Sequence, residues 1–205
     1  MDLLDNLLPP VERLNIAAAE VTMHRRPDLG STSGEAYAGL ERECDWAQRS
    51  IVIHGNPVME ARLTAWHGDE GLSYTYSGRR NEAAAWTPTL ARLRDIASAI
   101  AGERFNSVLL NLYRSGSDSV GFHSDSEREL GPDPIIASLS LGAERIFEMR
   151  PKKGREGETH RIALTDGSLL VMGRGTQIHW DHGIRKIKTP CGPRINATFR
   201  RIMTR

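Results

Sequence analysis

"RINATFR", residues 194–200, alternates as a strand does: Arg194, Asn196, Thr198 and Arg200 share one face, and Ile195, Ala197 and Phe199 share the other. The apolar face belongs against a neighbouring layer. The polar face then lines an interior with two guanidinium forks, and buried charge without a partner is costly, so an anion is expected there. A dicarboxylate satisfies both arginines. The competing reading is a surface strand whose arginines face water, since arginine is mostly exposed.

Working outward from that strand, much of the chain is short strand-like runs parted by Gly, Pro and Asp: "SIVIH", "GLSYTYSG", "NSVLLNLYRSG", "PIIASLSLG", "RIFEMRP" and "HRIALTDGSLLVMG". This is the rhythm of a sandwich or jelly roll. Two helices interrupt it. "EAYAGLERECDWAQR" spaces Tyr37, Leu40 and Cys44 for one, and "TPTLARLRDIASAIAGE" spaces Leu90, Leu93, Ile96 and Ile100 for the other, closing on Gly102. The class is therefore α+β, mainly β. Residues 1 to about 26 accommodate a short peripheral helix, followed by a loop at "RRPDLGSTSGE".

The strand "NLYRSG" offers Asn111 and Tyr113 by the same alternation, an amide and a phenol able to hydrogen-bond the same anion. Next comes "VGFHSD". Extended, it sets His123 and Asp125 on one face, where an imidazole nitrogen and a carboxylate oxygen can share an ion. An HxD pair alone is equally well a hydrogen-bonded surface pair. A second histidine strengthens it: in "TQIHWDHGI", read as a strand, Ile178, Trp180 and His182 face inward while His179 and Asp181 face outward, which selects His182. Two histidines and one carboxylate form the facial triad of non-haem Fe(II) oxygenases, whereas structural zinc wants a closed four-ligand site.

Composition bounds the rest. With 39% hydrophobic and 26% charged residues over 205 positions, the chain is an ordinary globular protein, neither disordered nor collagen-like. "MDLLDNLLPPVERLN" lacks a basic leader and is broken by Pro9 and Pro10, and no apolar run reaches spanning length, so an intracellular protein without a membrane partner is expected. Cys44 and Cys191, far apart, read as two buried thiols in a reducing compartment. The net charge of +1 hides a basic end: Arg185, Lys186, Lys188, Arg194, Arg200, Arg201 and Arg205 follow Ile184 with no acid among them. Such an end meets phosphates or simply faces water. No GxGxxG, Walker loop or GxSxG elbow supports a nucleotide-cofactor or hydrolase reading.

Taken in order, "NLYRSGSDSVGFHSD", "IIASLSLG", "HWDHGI" and "RINATFR" resemble the AlkB family of Fe(II) and 2-oxoglutarate-dependent dioxygenases that repair alkylated nucleic acid. "GLSYTYSG" and "SERELGPDPIIASLSLGAER" resemble its duplex-DNA-acting branch. The resemblance runs from about Ser50 to the C-terminus. It implies a double-stranded β-helix jelly roll with flanking helices over 50–205, a nucleotide-recognition segment at 50–85, and an N-terminal extension with a helix over 1–49. It also implies iron on His123, Asp125 and His182, and 2-oxoglutarate held by Asn111, Tyr113, Arg194, Thr198 and Arg200, with Asn196 on the same face. With dioxygen as co-substrate, such a site oxidises the N-methyl group of bases such as 1-methyladenine and 3-methylcytosine, and the hydroxymethyl product sheds formaldehyde. The protein's part is to hold the oxidant beside the methyl and exclude other chemistry.

For the flipped base, matching positions imply Tyr76 as a stacking face opposite His123, Tyr74 as a hydrogen-bonding neighbour and Glu127 beside the exocyclic amine. The chain departs from the family in three places. Ser126 replaces the second acid of HxDDE, His54 in "IHG" stands where the duplex branch carries an aromatic finger, and Ala61-Arg62 replaces a proline-arginine pair, with Arg62 kept. Alkylated DNA, single- or double-stranded, is the expected partner of a monomer, in the nucleus if the cell is eukaryotic. An oxygenase acting on RNA, protein or a small molecule shares the triad and arginines but would not need Tyr74, Tyr76 or the finger. A jelly-roll module that only binds nucleic acid would not need the ligand set.

Overall fold

The computed structural model describes residues 11–53, 55–76 and 79–203; the side chains at 51–53, 74–76 and 79–81 lie outside the description. In chain order these residues form β1 (Val11–Leu14), β2 (Val21–His24), α1 (Ser33–Glu43), β3 (Ser50–Ile53), β4 (Asn56–Met59), β5 (Leu63–Gly68), β6 (Ser73–Tyr76) and β7 (Arg79–Glu82). There follow α2 (Pro88–Ala101), β8 (Ser107–Tyr113), β9 (Val120–His123), a 3-10 turn (Arg128–Leu130), β10 (Ile136–Gly142), β11 (Arg145–Pro151), β12 (His160–Leu164) and β13 (Leu169–Met172). A one-turn helix α3 (Thr176–His179) leads into β14 (Trp180–Ile184), and β15 (Arg194–Arg200) closes the fold.

Two antiparallel sheets carry the architecture, a large one in the order β1-β2-β13-β10-β15-β8-β5 and a smaller one in the order β12-β11-β14-β9. The hairpins β3-β4 and β6-β7 stand outside both. This is a mainly β fold, as the strand rhythm predicts, and of the two architectures that rhythm allows it is the jelly roll that the family resemblance implies. The polar-faced strand β15 sits inside the large sheet, with Arg194 and Asn196 opposite Tyr113 and Asn111 of β8, and Asn196 and Thr198 opposite Ser140 and Ser138 of β10. Residues directly opposite share a face, so three strands build one polar surface.

The other face of the same strands is apolar. Ile195, Ala197 and Phe199 join Ala137, Leu139, Leu141, Val108 and Leu110 in a core against Leu40 of α1 and Leu90 and Leu93 of α2. A second core fills the space between the sheets with Met23, Ile136, Leu170, Phe147, Met149, Trp180 and Ile184. Each helix begins where its cap dictates. Thr32 and Glu35 form a reciprocal capping box for α1, while Thr87 caps α2 ahead of Pro88 and Gly102 ends it in the left-handed region. Among the described residues no helix is long and apolar enough to cross a membrane.

The structure corrects four local expectations. Residues 11–14 and 21–24 are strands, because Val21 and Met23 bury their side chains while the backbone pairs with the free edge of β13. The first helix stops at Glu43, not Arg49: Cys44 turns extended and Ala47 bridges to Thr64, covering the edge of β5. Residues 176–179 coil into α3, begun by Gly175 at φ 79°, so Ile178 is turned out to solvent rather than inward. Cys44 is buried, yet Cys191 is partly exposed.

Candidate metal and co-substrate site

β9 and β14 lie side by side with His123 directly opposite His182. β9 ends at His123, and the chain carries on to Asp125 beneath it. The donor atoms of His123, Asp125 and His182 all lie within 4.8 Å of one another, a group able to hold a metal ion. His182 Nε2 stands 3.8 Å from Asp125 Oδ2, too far for a hydrogen bond. The imidazole of His182 stacks on Phe147, and its pKa is pushed down to about 3, chiefly by burial and next by the neighbouring His123, so the ring stays neutral. His123 Nδ1 donates to the Gly121 carbonyl at 2.8 Å, which leaves Nε2 as the nitrogen free to ligate. Burial pushes the Asp125 carboxyl up, but Arg200, His182 and His123 together hold it below its ordinary value, and Arg200 Nη2 donates to Oδ1 at 2.5 Å. Two imidazoles, that of His182 held neutral, and one anionic carboxylate are the donor set expected of a divalent non-haem iron site.

Beside this cluster, in the same cavity between the sheets, lie Asn111, Tyr113, Arg194, Asn196, Thr198 and Arg200. Arg194 is wholly buried. One of its nitrogens donates to Ser140 Oγ at 2.8 Å and its guanidinium lies 5.2 Å from the centre of the Tyr113 ring. Among the described residues its Nε and Nη1 have no partner, and neither has Arg200 Nε. Burial accordingly lowers the Arg194 pKa to about 10. A buried cation with two donors lacking partners among the described residues is a seat for an anion. The apolar side chains of Leu109, Phe147, Leu164 and Met172 line the space around it. The donor set and the orphaned guanidinium nitrogens fit Fe(II) and a keto dicarboxylate.

The remaining expected residues are placed differently from one another. Asn196 is already engaged, donating to Ser138 Oγ and the Leu139 carbonyl, and its Oδ1 accepts from Thr198. Asn111 Oδ1 accepts from Arg62 Nε at 2.5 Å, and Arg62 in turn pairs with the buried Glu60 at 3.0 Å, so Arg62 forms part of the cavity wall. Ser126 is exposed, and Glu127 is partly buried with Oε2 lacking a partner among the described residues. The backbones of Tyr74 and Tyr76 pair with Asn81 and Arg79 in the β6-β7 hairpin, but their side chains lie outside the described residues, as does His54 altogether.

Three contributors escaped the sequence reading. Ser138 and Ser140 were legible in principle, since they alternate with Ala137, Leu139 and Leu141. Gln177, whose side chain accepts from the Asp125 backbone, had no local signal because its partner lies 52 residues away.

The 2OG-Fe(II) oxygenase superfamily matches residues 31–200. Human DNA oxidative demethylase ALKBH2 is 40% identical over 178 residues, which cover 82% of this chain and 68% of the relative. Bovine alpha-ketoglutarate-dependent dioxygenase alkB homolog 3 is 43% identical over 174 residues, which cover 81% of this chain but only 60% of the relative. The solved structure of OsALKBH1 aligns over 94% of this chain and 100% of its own with a TM-score of 0.65 at 14% identity, a likeness of fold. The chain belongs to the AlkB family of 2OG-Fe(II) oxygenases.

Proposed function

We propose that this chain removes N-linked methyl groups from bases of the 1-methyladenine and 3-methylcytosine type in DNA, using Fe(II), 2-oxoglutarate and dioxygen and releasing formaldehyde. The observation that carries the proposal is the buried Arg194 fork, two of its nitrogens without a partner among the described residues, sharing one cavity with the His123, Asp125, His182 cluster. The cluster wants a cation and the fork wants an anion, and a chelating keto diacid answers both. A DNA substrate is supported by relatives named as DNA oxidative demethylases.

In this reading His123, Asp125 and His182 hold the iron. Arg194, at the end of the cavity beside Tyr113 and Ser140, takes the carboxylate remote from the metal. Arg200, already on Asp125, takes the carboxylate near the metal through its unpartnered Nε, with Asn111, Tyr113 and Thr198 completing the cradle. Bound there, Fe(II), 2-oxoglutarate and dioxygen supply the oxidation that turns an N-methyl group into a hydroxymethyl, which leaves as formaldehyde. Burial keeps His182 neutral and therefore able to ligate at neutral pH. Apolar Leu109, Phe147, Leu164 and Met172 line the cavity beside the buried Asp125 and His182, while the exposed His123 marks the open side that a substrate would approach.

The substrate side is built from segment 50–85 and the turn after Asp125. In this reading Tyr76 is the stacking face for the flipped base and Tyr74 its hydrogen-bonding neighbour, Glu127 and Ser126 meet its polar edge, and His54 takes the place of the aromatic finger that fills the gap left in a duplex. Arg62 holds Asn111 in place from the rim of the same cavity. The exposed Arg185, Lys186 and Lys188 follow the His182 strand and meet backbone phosphates. Methylated bases that cannot pair normally are the cheapest to extrude.

Mass spectrometry of a single-stranded and a duplex oligonucleotide carrying 1-methyladenine, incubated with Fe(II) and ascorbate, with and without 2-oxoglutarate, tests this. The expected result is loss of one methyl that depends on 2-oxoglutarate. Succinate formation with no loss from either strand would refute the DNA substrate and keep the oxygenase.

A further inference from the structure

We propose that Gln177 is a positioning residue for the metal: it holds the Asp125 ligand from behind and couples it to the strand that carries His182. The inference depends on the His123, Asp125, His182 cluster being the metal site. Asp125 lies past the end of β9, so its backbone N–H has left the ladder, and it is buried. A buried N–H without a partner is rare because water cannot compensate it. Gln177 Oε1 accepts from it at 2.9 Å, and Gln177 is itself 2% exposed.

The other groups of Gln177 are tied as well. Its Nε2 points to Met172 Sδ at 3.8 Å, on a residue that lines the cavity, and its carbonyl accepts from Lys152 Nζ at 2.7 Å. The helical turn it sits on is anchored in front, where Gly175 N donates to Asp133 Oδ1 at 2.9 Å. That turn runs directly into β14, which delivers His182 five positions after Gln177. One side chain therefore joins the two segments that bring the ligands together. With Arg200 on the carboxylate and Gln177 on the backbone, Asp125 is gripped at both ends. Groups that orient a ligand without touching the metal typically change its affinity by about 10- to 100-fold when lost.

The test compares Gln177→Met, which keeps the shape but removes the acceptor, with Gln177→Glu, which keeps an oxygen at that place. Binding of Mn(II) alone is followed by electron paramagnetic resonance of the free ion, with circular dichroism of each metal-free variant to establish that it is folded. The expected result is Mn(II) affinity about 10- to 100-fold weaker in Gln177→Met and within about threefold of the unsubstituted protein in Gln177→Glu, both folded. A folded Gln177→Met that binds Mn(II) as the unsubstituted protein does overturns the inference alone. Equal weakening in both variants overturns it too, since the acceptor would not be what matters. An unsubstituted protein that binds no Mn(II) overturns the metal-site reading itself.

Discussion

Replacing Arg194 with Met separates what the fold needs from what the co-substrate needs. Arg194→Met keeps most of the side-chain volume and removes a buried cation. It loses the bond to Ser140, worth about 1 kcal/mol, and the contact with Tyr113, worth about 2 kcal/mol when desolvated. It also removes two buried donors that have no partner among the described residues, each costing about 1–3 kcal/mol. The terms nearly cancel, so the melting temperature of the metal-free protein is expected to move by less than about 4 °C. Binding of 2-oxoglutarate has no such compensation. Two charge-assisted bonds at about 1.5–3 kcal/mol each amount to a loss of roughly 10²- to 10⁴-fold in affinity. In thermal melts with Mn(II), 2-oxoglutarate at about 100 times its Kd raises the unsubstituted protein by about 2.7 kcal/mol, or roughly 5–10 °C. At the same concentration the variant gains no more than about 2 °C. A variant that melts more than about 10 °C lower without ligand would make Arg194 a structural brace. A 2-oxoglutarate shift that survives undiminished would refute the anion seat.

Acid stability follows from His182, whose pKa burial and His123 push down to about 3. The unfolded chain takes up this proton near 6.5 and the native state does not, so stability of the metal-free protein falls as pH drops from about 6.5 toward 3, by about 1.4 kcal/mol per unit from this group. Melts across that range should show a shallower slope for His182→Asn, and identical slopes would contradict it. Gly175→Ala should destabilise the protein by more than about 2 kcal/mol, because its φ is 79° and a Cβ there would approach the Ala18 carbonyl oxygen to 2.1 Å; chemical denaturation with an unchanged midpoint would disprove this. Cys44, its thiol pushed up to about 12 by burial and by Glu43, should resist iodoacetamide in the native protein while the partly exposed Cys191 is alkylated, as peptide mass mapping would reveal.

β8, β10, β11, β12, β13 and β15 were legible as short apolar or alternating runs between turn residues, whereas β5 (Leu63–Gly68), at the edge of the large sheet, was not read. β15 shows the alternation best: the separation of Arg194, Asn196, Thr198 and Arg200 from Ile195, Ala197 and Phe199 is the separation of the cavity from the helix-covered core. Where alternation was assumed beyond its range the reading slipped. His182 was selected by assigning Ile178 and Trp180 to one inward face; Trp180 is indeed buried, but Ile178 belongs to α3 and is exposed. A left-handed glycine makes that turn, and whether residue 175 adopts that conformation depends on Asp133 and on the close approach of Ala18, both distant in the chain. The strands at 11–14 and 21–24 went unread for a similar reason, since four-residue segments owe their form to the sheet edge they complete.

By itself the sequence determined the chemistry on offer: which residues are polar at cavity spacing, which are able to ligate, and that the chain is built chiefly of strands. Those properties are local, carried by side-chain type and the period of two along a strand. Only the tertiary structure decided which groups meet. It alone sets Arg62 on Asn111, leaves two Arg194 nitrogens without a partner among the described residues, and ties Gln177 to Asp125. Contacts between residues 49 or 52 positions apart depend on which distant strands pair, β5 with β8 and β14 with β9, and no window of neighbouring residues contains that information.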